Sequence, residues 1–489
     1  MSPQNPTLLS TASLFAEDVV QYHMSLLTSN GAPRQAEEAS QAPIVASSVL
    51  KRLQDCPDTQ KYMAPLQFGL LAGSTEKVQS QSAEAYDDDP RLLFNVTAPS
   101  STHTLSCMLE TCLLPSGLGR LANPLTGVVF HYDTFISDTG GSPCEAAFLS
   151  SHSSVSVRVL CSPTNMATIK RTYKRLDVVV EPLQIDQRHV NTKRMVDLMA
   201  VSQGDVPLYM ESVKRLLREM RIVQQHMGDP FDYHDFKKRV AELDLTPGQL
   251  APLTQRLETL ESFMPSVQTT NYMTKNQSSL VRGTYWTPVP SRSTVVDLSC
   301  PCIPPETTCS LFNICLGIFL QEEDFSIGRY MTSSTEATVF TDTILSAVRL
   351  QRHLGVRVII STQEPTISTA LLDLCSVTIV HRFTSPEWLN ALGRHLAAAA
   401  KDTIVPGGKT ISSTRDRASL KRDLMTTLFD RIVRLRVGDA LLFASSAIIG
   451  VGHGSSRDEI VLLRLGGDSL AVTVRGRLTY DGGKSILSL

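Results

Sequence analysis

A strand, a helix and a second strand are predicted by VRVIISTQEPTISTALLDLCSVTIVHRF, residues Val356 to Phe383 of this 489-residue chain. The first part, Val356 to Thr362, is a nearly continuous β-branched run, which is typical of a central strand of a parallel sheet. A short helix follows through Leu371 to Leu374, and the run from Val377 to Phe383 predicts another buried strand. Strands that alternate with helices in this way indicate an α/β fold.

The same alternation extends toward the amino terminus. THTLSCMLETCLL predicts a helix, because Leu105, Met108, Leu109 and Leu113 fall at i, i+3, i+4 and i+8. Further strands are predicted over Gly127 to Asp133, Ser154 to Pro163, Asp177 to Leu183 and Ser293 to Pro301. Further helices are predicted over Asn165 to Tyr173, Glu306 to Leu320 and Ser333 to Leu354. Together these elements predict a parallel sheet.

The pattern divides the chain into regions. Between Asn191 and Met264 it is purely helical, which predicts an insertion into the α/β domain. One more helix is predicted over Val45 to Leu53, and a charged helix with three short strands after Thr410. The regions are a partly disordered N-terminal arm (1–90), the first part of the α/β domain (91–184), the helical insertion (185–270), a linker (271–292), the second part of the α/β domain (293–410), and a basic helix with a β-rich C-terminal region (411–489).

Composition and charge exclude several classes of protein. The hydrophobic fraction of 42% and the charged fraction of 19% are those of a globular chain, not a disordered one. A net charge of -2 provides no overall electrostatic attraction for nucleic acid. Ten cysteines are too sparse for a disulfide scaffold, and no apolar run reaches the roughly 20 residues of a membrane span. The first residues lack a secretory pattern, so we expect an intracellular protein, cytoplasmic or nuclear, without a membrane partner.

The turn before the helix THTLSCMLETCLL is where a phosphate-binding loop would lie in a parallel α/β protein. Such a loop, G-x-x-x-x-G-K-[ST], holds phosphates through backbone N–H groups and a lysine. Here the turn reads NVTAPSST, which contains neither glycine nor lysine, and Pro99 lacks an N–H group. The residues therefore do not predict a working phosphate loop.

Several blocks nevertheless resemble a known family. They are HTLSCMLE (His103 to Glu110), VFHYD (Val129 to Asp133), FDYHDFKKR (Phe231 to Arg239), VVDLSCP (Val295 to Pro301) and, most specifically, the block from Leu350 to Leu389. In these blocks the chain resembles the fungal P-loop NTPases related to the HerA/FtsK-like ATPases, often labelled AAA-like, and the resemblance runs from about Arg91 to the end. It implies an α/β fold of the RecA-like P-loop NTPase type, with an inserted helical subdomain and a small β-rich C-terminal tail.

The resemblance also implies a chemistry. Members of this family use ATP and Mg²⁺, and the resemblance implies a homo-oligomeric ring that works on DNA. Thr102 matches the hydroxyl position of the phosphate loop, and His103 and Thr104 follow it as vestigial nucleotide-binding candidates. Gln363 matches a polar residue near the γ-phosphate and Arg382 matches an arginine finger, which makes both vestigial catalytic candidates.

The chain departs from the family at both catalytic motifs. The Gly-Ser-Gly-Lys-Ser loop that precedes HTLS in relatives is missing, since APSS joins almost directly to THTLS. The strand that ends in Asp-Glu-Ala-His, whose acids hold Mg²⁺ and polarise water, is missing as well. Gly328 to Tyr330 lead straight into Met331, and no such strand is predicted there. We therefore expect phosphate binding and hydrolysis to be lost or badly damaged. If the missing strand was central, its loss would leave a gap in the sheet.

The candidate residues have simpler interpretations as well. Gln363 is also a turn residue before Pro365, and Arg382 is also a surface or interface arginine. Asp297 is either a carboxylate close to a catalytic group or a cap for the next turn. Four cysteines lie between Cys300 and Cys315, but the chain contains no C-x-x-C pair, so no metal site is predicted.

One basic segment, residues 394–436, carries ten Lys and Arg against four Asp and no Glu. A segment with this excess can track a nucleic-acid backbone, which makes nucleic acid a predicted partner. It is also typical of a solvated helix face with Asp–Arg pairs.

Three functional hypotheses follow. The first is a degenerate P-loop NTPase-like protein without ATP hydrolysis, which acts as a binding or accessory protein. The second is an ATP-dependent nucleic-acid translocase of the HerA/FtsK-like type whose catalytic segments are missing from this sequence. The third is an accessory protein of a fungal secondary-metabolite gene cluster. Binding of Mg-ATP distinguishes the first two.

Overall fold

The computed structural model describes residues 38–39, 42–55, 68–75, 91–94, 102–115, 119–120, 124–192, 194–195, 208–228, 231–269, 283–320, 326–329, 335–354, 357–362, 365–399, 425–453 and 460–480. Its strands are β1 (Ile44–Ala46), β2 (Phe68–Ser74), β3 (Arg91–Phe94), β4 (Gly119–Arg120), β5 (Gly127–His131), β6 (Ser156–Cys161), β7 (Val179–Pro182), β8 (Arg292–Asp297), β9 (Ser326–Arg329), β10 (Arg357–Ile360), β11 (Thr378–Val380), β12 (Asp439–Phe443), β13 (Ile448–His453), β14 (Ile460–Arg464) and β15 (Leu470–Val474).

The helices alternate with these strands. They are α1 (Ser47–Asp55), α2 (Thr102–Leu113), α3 (Met166–Thr172), α4 (Leu208–Met227), α5 (Tyr233–Ala241), α6 (Pro247–Ser262), α7 (Ser266–Thr269), α8 (Pro305–Phe319), α9 (Thr335–Leu354), α10 (Thr369–Leu374), α11 (Pro386–Ala399) and α12 (425–433), with a 3₁₀ helix over Glu145–Ser151. The predicted helices that overlap α1, α2, α3, α8, α9 and α10 are confirmed, and α4 to α7 form within the predicted helical insertion.

One sheet contains six strands in the order β10-β9-β5-β8-β6-β7, and every neighbouring pair is parallel. The helices α3, α8 and α9 lie in the connections from β6 to β7, β8 to β9 and β9 to β10. Strand β8 has a neighbour on each side and is buried from Ser293 to Asp297, as expected for a strand inside a parallel sheet that is covered on both faces. The predicted α/β fold with a parallel sheet is therefore confirmed.

Strand β9 fills the position between β5 and β10. Its residues pair with Gly127–Val129 of β5 and Arg357–Ile360 of β10. Strand β9 was not predicted, and the described sheet has no gap between β5 and β10. The four residues SIGR contain one large apolar side chain, so their pattern does not signal a strand. Two neighbouring strands nevertheless supply backbone partners on both sides, and such context overrides weak strand propensity.

The second sheet is mixed and joins the two ends of the chain. Its order is β11-β12-β15-β2-β3-β1-β13-β14, with β4 beside β2, and its pairs are antiparallel except β1 with β13. Strands β1 and β2, within the region expected as an arm, were not predicted. The buried strand predicted after Val377 is confirmed as β11, but it pairs antiparallel with β12 instead of joining β10.

Helix α2 packs between the two sheets. Met108 and Leu109 belong to one buried cluster with Val129 and Val295 of the parallel sheet and with Ile448 of the mixed sheet. Leu113, at the end of α2, lies beside the start of β5, since a Cβ at Gly127 would be 3.9 Å from its side chain. Helix α2 therefore ends at the amino ends of the parallel strands.

The opposite face of the parallel sheet is covered by α8, α9 and the helical insertion. Phe130 and Val296, which alternate with the residues facing α2, belong to a second buried cluster. The ring of Phe130 lies 4.9 Å from Phe312 of α8 and 5.6 Å from Phe340 of α9. Tyr233 of the insertion is buried in the same cluster. Both faces of the parallel sheet are thus covered, as its apolar strands require.

Candidate functional site

Chemically active side chains meet at the carboxyl ends of three adjacent parallel strands. β5 ends in His131, β6 in Cys161 and β8 in Asp297, and the strand register places both His131 and Cys161 opposite Asp297. In open parallel sheets this edge is where ligands bind, because the strand ends and the following loops present side chains together. We call this set of groups and their contacts the Asp297 cluster.

The Asp297 carboxylate is bonded through both oxygens. It is 1% exposed, and its Oδ2 accepts a hydrogen bond from the Tyr173 hydroxyl at 2.7 Å. Its Oδ1 accepts one from the backbone N–H of Ser299 at 3.0 Å. Burial and the charge of Asp297 hold the pKa of Tyr173 well above its usual range, so the hydroxyl stays protonated and donates. The bond to Ser299 confirms the interpretation of Asp297 as a cap for the next turn.

Two further contacts extend this cluster to Cys144 and His131. The Tyr173 hydroxyl accepts a hydrogen bond from the backbone N–H of Cys144 at 2.9 Å. Nε2 of His131 lies 3.4 Å from the carbonyl oxygen of Ser142, which can only accept. Burial lowers the pKa of His131, but the charge and hydrogen bond of the Cys144 sulfur and the charge of Asp297 outweigh burial and raise the pKa to about 10. His131 is therefore protonated at neutral pH.

The loop 132–143 lies over the Asp297 cluster and is held by Asp133. The carboxylate of Asp133 accepts hydrogen bonds from the backbone N–H groups of Phe135 at 2.8 Å and Ser142 at 3.0 Å. The backbone N–H of Asp133 donates to the Ser299 hydroxyl at 2.8 Å. A Cβ at Gly141 would lie 2.9 Å from Asp133 Oδ2, so this position needs a glycine. The loop is thereby anchored at both its start and its end.

The start of α2 carries the predicted nucleotide-binding residues, and the structure bonds two of them to other parts of the chain. The helix begins at Thr102. Nε2 of His103 lies 3.1 Å from the carbonyl oxygen of Arg475, which follows β15. The Thr104 hydroxyl is fully buried and lies 2.9 Å from Nε2 of His381, which follows β11. The first turn of α2 therefore contacts segments of the mixed sheet.

The His381 ring has one consistent set of hydrogen bonds. Its Nδ1 lies 3.2 Å from the carbonyl oxygen of Asp439, so Nδ1 is the donor. Burial, aided by the nearby His103, holds the pKa of His381 below its usual value even though the bond to Asp439 raises it. The neutral ring therefore accepts a hydrogen bond from the Thr104 hydroxyl at Nε2. Arg382, the predicted arginine finger, is next in the chain and exposed, whereas Gln363 lies outside the described residues.

Glu110, in the middle of α2, is fully buried and bonded to the segment after β15. Arg475 Nη1 donates to its carboxylate at 2.7 Å, and the Thr479 hydroxyl donates at 2.6 Å. The backbone N–H groups of Leu478 and Thr479 donate as well. Burial raises the pKa of Glu110, but these hydrogen bonds outweigh burial and hold the pKa below its usual value. This arrangement fastens the C-terminal segment to α2.

The groups described at these two places are bonded within the protein. Mg²⁺ requires oxygen ligands in near-octahedral geometry, and in phosphate-loop proteins a hydroxyl at the helix start and a strand-end acid provide them. Here the hydroxyl of Thr104, two residues after the position that matches the loop hydroxyl, is bonded to His381, and each oxygen of Asp297 accepts one hydrogen bond from the protein. No group of three or more His, Cys, Asp or Glu among the described residues could hold a metal ion.

The predicted basic segment is described only in part, over 394–399 and 425–436. There, Arg434 pairs with Asp430 at 2.9 Å and Arg431 donates to the Ser469 hydroxyl at 3.0 Å. These contacts agree with the interpretation as a solvated helix face with Asp–Arg pairs. In the part of the chain that the structure describes, no helix is long and apolar enough to cross a membrane.

Sequence reasoning missed His131, Cys144 and Tyr173 as site residues. His131 carried a usable signal, because a polar residue at the end of a predicted parallel strand lies at the ligand-binding edge of the sheet. Cys144 and Tyr173 carried no usable signal. Cys144 follows the loop 132–143 and Tyr173 follows α3, so neither position marks a strand end. Neither a protein-family model nor a curated protein sequence matches this chain.

Proposed function

We propose that this chain is a P-loop NTPase-like protein that does not hydrolyse ATP and that acts as a binding or accessory protein. The proposal depends on one observation, the 2.9 Å contact between the buried Thr104 hydroxyl and the His381 imidazole. In phosphate-binding proteins the first turn of such a helix faces the ligand. Here that turn is bonded to segments that follow β11 and β15.

The Asp297 cluster supports the same proposal. An acid that holds Mg²⁺ or polarises water must have an oxygen directed at the ligand. Each oxygen of Asp297 accepts one hydrogen bond from the protein, from Tyr173 at Oδ2 and from Ser299 at Oδ1. A carboxylate held in this way stabilises the strand end and the loop above it, which is a structural role.

Calorimetric titration with Mg-ATP tests this proposal. We expect no saturable binding at micromolar nucleotide and no release of phosphate. A hydrolysing translocase, the alternative, requires both, so micromolar binding by the unmodified chain would contradict the proposal.

A variant with Gly-Ser-Gly-Lys inserted between Ser101 and Thr102 serves as the matched control. The insertion places Gly-Ser-Gly-Lys-Thr, the segment that the family resemblance implies, directly before His103, with Thr102 as its hydroxyl residue. Binding of Mg-ATP by this variant alone supports the relation to P-loop NTPases. A folded variant that also fails to bind would remove that support, whereas the absence of hydrolysis in the unmodified chain would still stand.

A further inference from the structure

Strand β14 lies at one end of the mixed sheet, and its outer edge has no partner strand among the described residues. On its inner side it pairs with β13, where Val461 lies opposite Gly452 and Leu463 lies opposite Gly450. The N–H and C=O groups that point away from β13 are therefore available to another strand. Such an edge binds an extended chain through backbone hydrogen bonds, and side chains that alternate along the strand add contacts.

One face of β14 is apolar and uncovered. Val461 is 41% exposed and Leu463 is 49% exposed, and both point to the same face because side chains alternate along a strand. Leu462 points to the other face, where it packs against a buried cluster of the protein core. The opposed β13 residues on the exposed face are Gly450 and Gly452, so β13 presents no side chain beside the two exposed ones.

The two glycines also let Leu463 lie across the backbone of β13. A Cβ at Gly450 would be 3.4 Å from Leu463 Cδ1, and a Cβ at Gly452 would be 3.5 Å from Leu463 Cδ2. Both distances are those of close packing, so the leucine side chain rests on the glycine positions. The rim of the mixed sheet is therefore a smooth apolar strip that a further strand can extend.

The other end strands of the two described sheets, β7, β10 and β11, are protected in ways that β14 is not. Val179 of β7 is 59% exposed, but the same strand contains Glu181 and Pro182, and charged residues and proline block strand addition. Strand β11 is buried, and so is β10 after its first residue. Strand β14 contains neither proline nor lysine, and its one charged residue, Arg464, pairs with Glu38 at 3.0 Å.

We propose that β14 is a docking surface for a second copy of this chain, and that the two β14 strands pair antiparallel across a twofold axis at Leu462. The axis exchanges the residue before Leu462 with the residue after it, so Val461 of each copy lies opposite Leu463 of the other. Directly opposed residues of an antiparallel pair point to the same face and contact each other. The exposed apolar side chains of the two copies thus cover one another.

The charges near β14 favour a second copy as the occupant. Arg464 is bonded to Glu38 of its own chain and lies opposite Ile460 of the other copy in this register, so no like charges are opposed. A net charge of -2 opposes the approach of two copies only weakly. The strand is therefore self-complementary, which is what a twofold interface requires.

This association differs from the ring that the family resemblance implies. A twofold pair is complete at two copies, whereas a ring needs two different surfaces on each copy. The inference goes beyond the function proposed above and does not depend on it, because the observations all concern the rim of the mixed sheet.

Sedimentation equilibrium of the full chain tests the proposal. A pair of five-residue strands buries less area than a standard interface, so we expect a weak dimer with a dissociation constant of about 100 µM and no larger species. The measurement covers chain concentrations from about 1 to 500 µM, on both sides of that value. A chain that stays monomeric over this range leaves the edge to an extended segment of another protein and overturns the proposal, and so does a chain that forms larger rings.

Hydrogen exchange followed by peptide mass spectrometry locates the contact. We expect amides of β14 to exchange about threefold more slowly at the highest concentration than at the lowest, because amides that gain a strand partner are protected. Amides of β7 should exchange at the same rate at both concentrations. A dimer without slower exchange in β14 uses another surface, which also overturns the proposal.

Paired charge variants test the register. Val461→Lys together with Leu463→Lys opposes lysines to lysines, and Val461→Glu together with Leu463→Glu opposes glutamates to glutamates, so each variant alone should dimerise at least about tenfold more weakly. An equimolar mixture of the two variants should restore the dimer, because each lysine then lies opposite a glutamate. Val179→Lys, at the edge of β7, is the matched control and should leave dimerisation unchanged.

Unchanged dimerisation of either variant alone contradicts the register, and so does a mixture of two folded variants that forms no dimer. Either result overturns the proposal. Should a variant fail to fold, sedimentation and hydrogen exchange of the unmodified chain decide.

Discussion

Two hydrogen bonds meet at the hydroxyl of Tyr173. It donates to the buried carboxylate of Asp297 and accepts from the backbone N–H of Cys144. A buried polar group that loses its partner costs about 1–3 kcal/mol, because it has given up water without compensation. One phenolic oxygen therefore connects the end of α3 to a strand end and to the loop above it.

Tyr173→Phe should lower the free energy of unfolding by about 1–3 kcal/mol, because the Asp297 carboxylate and the Cys144 N–H each lose a hydrogen-bond partner. Urea denaturation followed by circular dichroism measures the change. Tyr480→Phe removes a hydroxyl from a tyrosine that is 77% exposed, and should change stability by less than about 0.5 kcal/mol. Equal effects of the two substitutions would show that the Tyr173 hydroxyl has no structural role.

At the scale of elements, α2 and the segment after β15 depend on each other. Arg475 donates to Glu110, to the carbonyl oxygen of Cys107 and to the Thr111 hydroxyl, and all three acceptors lie on α2. Arg475 Nε also donates to the carbonyl oxygen of Leu70 in β2. The arginine is thus the link between a helix and two strands of the mixed sheet. Removing one member of a buried ion pair leaves an unpaired charge, which costs about 3–5 kcal/mol.

Glu110→Gln should therefore destabilise the protein by about 3–5 kcal/mol at pH 7. The pKa of Glu110 is lowered in the folded state, so its contribution is complete above the ordinary glutamate pKa of about 4.3 and is lost as the pH falls through the folded value. The stability difference between Glu110→Gln and the unmodified chain should shrink as the pH is lowered from 5 to 3. Denaturant unfolding at several pH values measures this difference.

Glu211→Gln is the matched control for that series. Glu211 is exposed and pairs with Lys214 on the surface of α4 at 3.0 Å, so its loss should cost less than about 1 kcal/mol and show little pH dependence. If Glu110→Gln behaves like Glu211→Gln, the buried ion pair does not hold the C-terminal segment.

Periodicity identified the elements but not all of their partners. The sequences of β5, β6, β8 and β10 predicted parallel strands, because a strand covered on both faces has little choice of residue. Strand β10, predicted as a central strand, lies at the edge of the parallel sheet. Strand β9 was missed because its four residues carry no such pattern, and β11 was predicted as a strand without its antiparallel partner β12. Pairing depends on which edges are available after the chain has folded, and local sequence does not encode that.

For the candidate site, too, the sequence indicated some of the residues but not their contacts. Asp297 was singled out because it ends a predicted strand, and its role as a cap was one of the two interpretations. Its partners Tyr173 and Cys144 are distant in sequence and lie in a helix end and a loop, where no period marks the direction of a side chain. Thr104 was singled out through a family resemblance, which did not indicate its contact with His381.

At the scale of the whole molecule, strand position determines how firmly each backbone amide is protected. Strand β8 lies between β5 and β6 and is buried, whereas β7 is at the edge of the parallel sheet and half exposed. Strand β14 is at the edge of the mixed sheet, with Val461 41% and Leu463 49% exposed. Edge strands open in local fluctuations that central strands do not share.

Hydrogen exchange should reproduce this order. We expect amides of β8 to exchange only through global unfolding, and those of β7 and β14 at least about a hundredfold faster. Exchange followed by peptide mass spectrometry resolves the three strands. Similar rates in β7 and β8 would contradict the strand order of the parallel sheet.

The mixed sheet has a consequence for synthesis of the chain on the ribosome. Strand β2 pairs with β15, which is translated about 400 residues later. At about 5–20 residues per second the ribosome needs roughly 20–80 s to cover that distance. During this time the β2 edge that β15 will cover has no partner, and the whole parallel sheet is translated within the same interval. The nascent chain therefore exposes a strand edge for tens of seconds, and chaperones that bind extended segments have that interval in which to act.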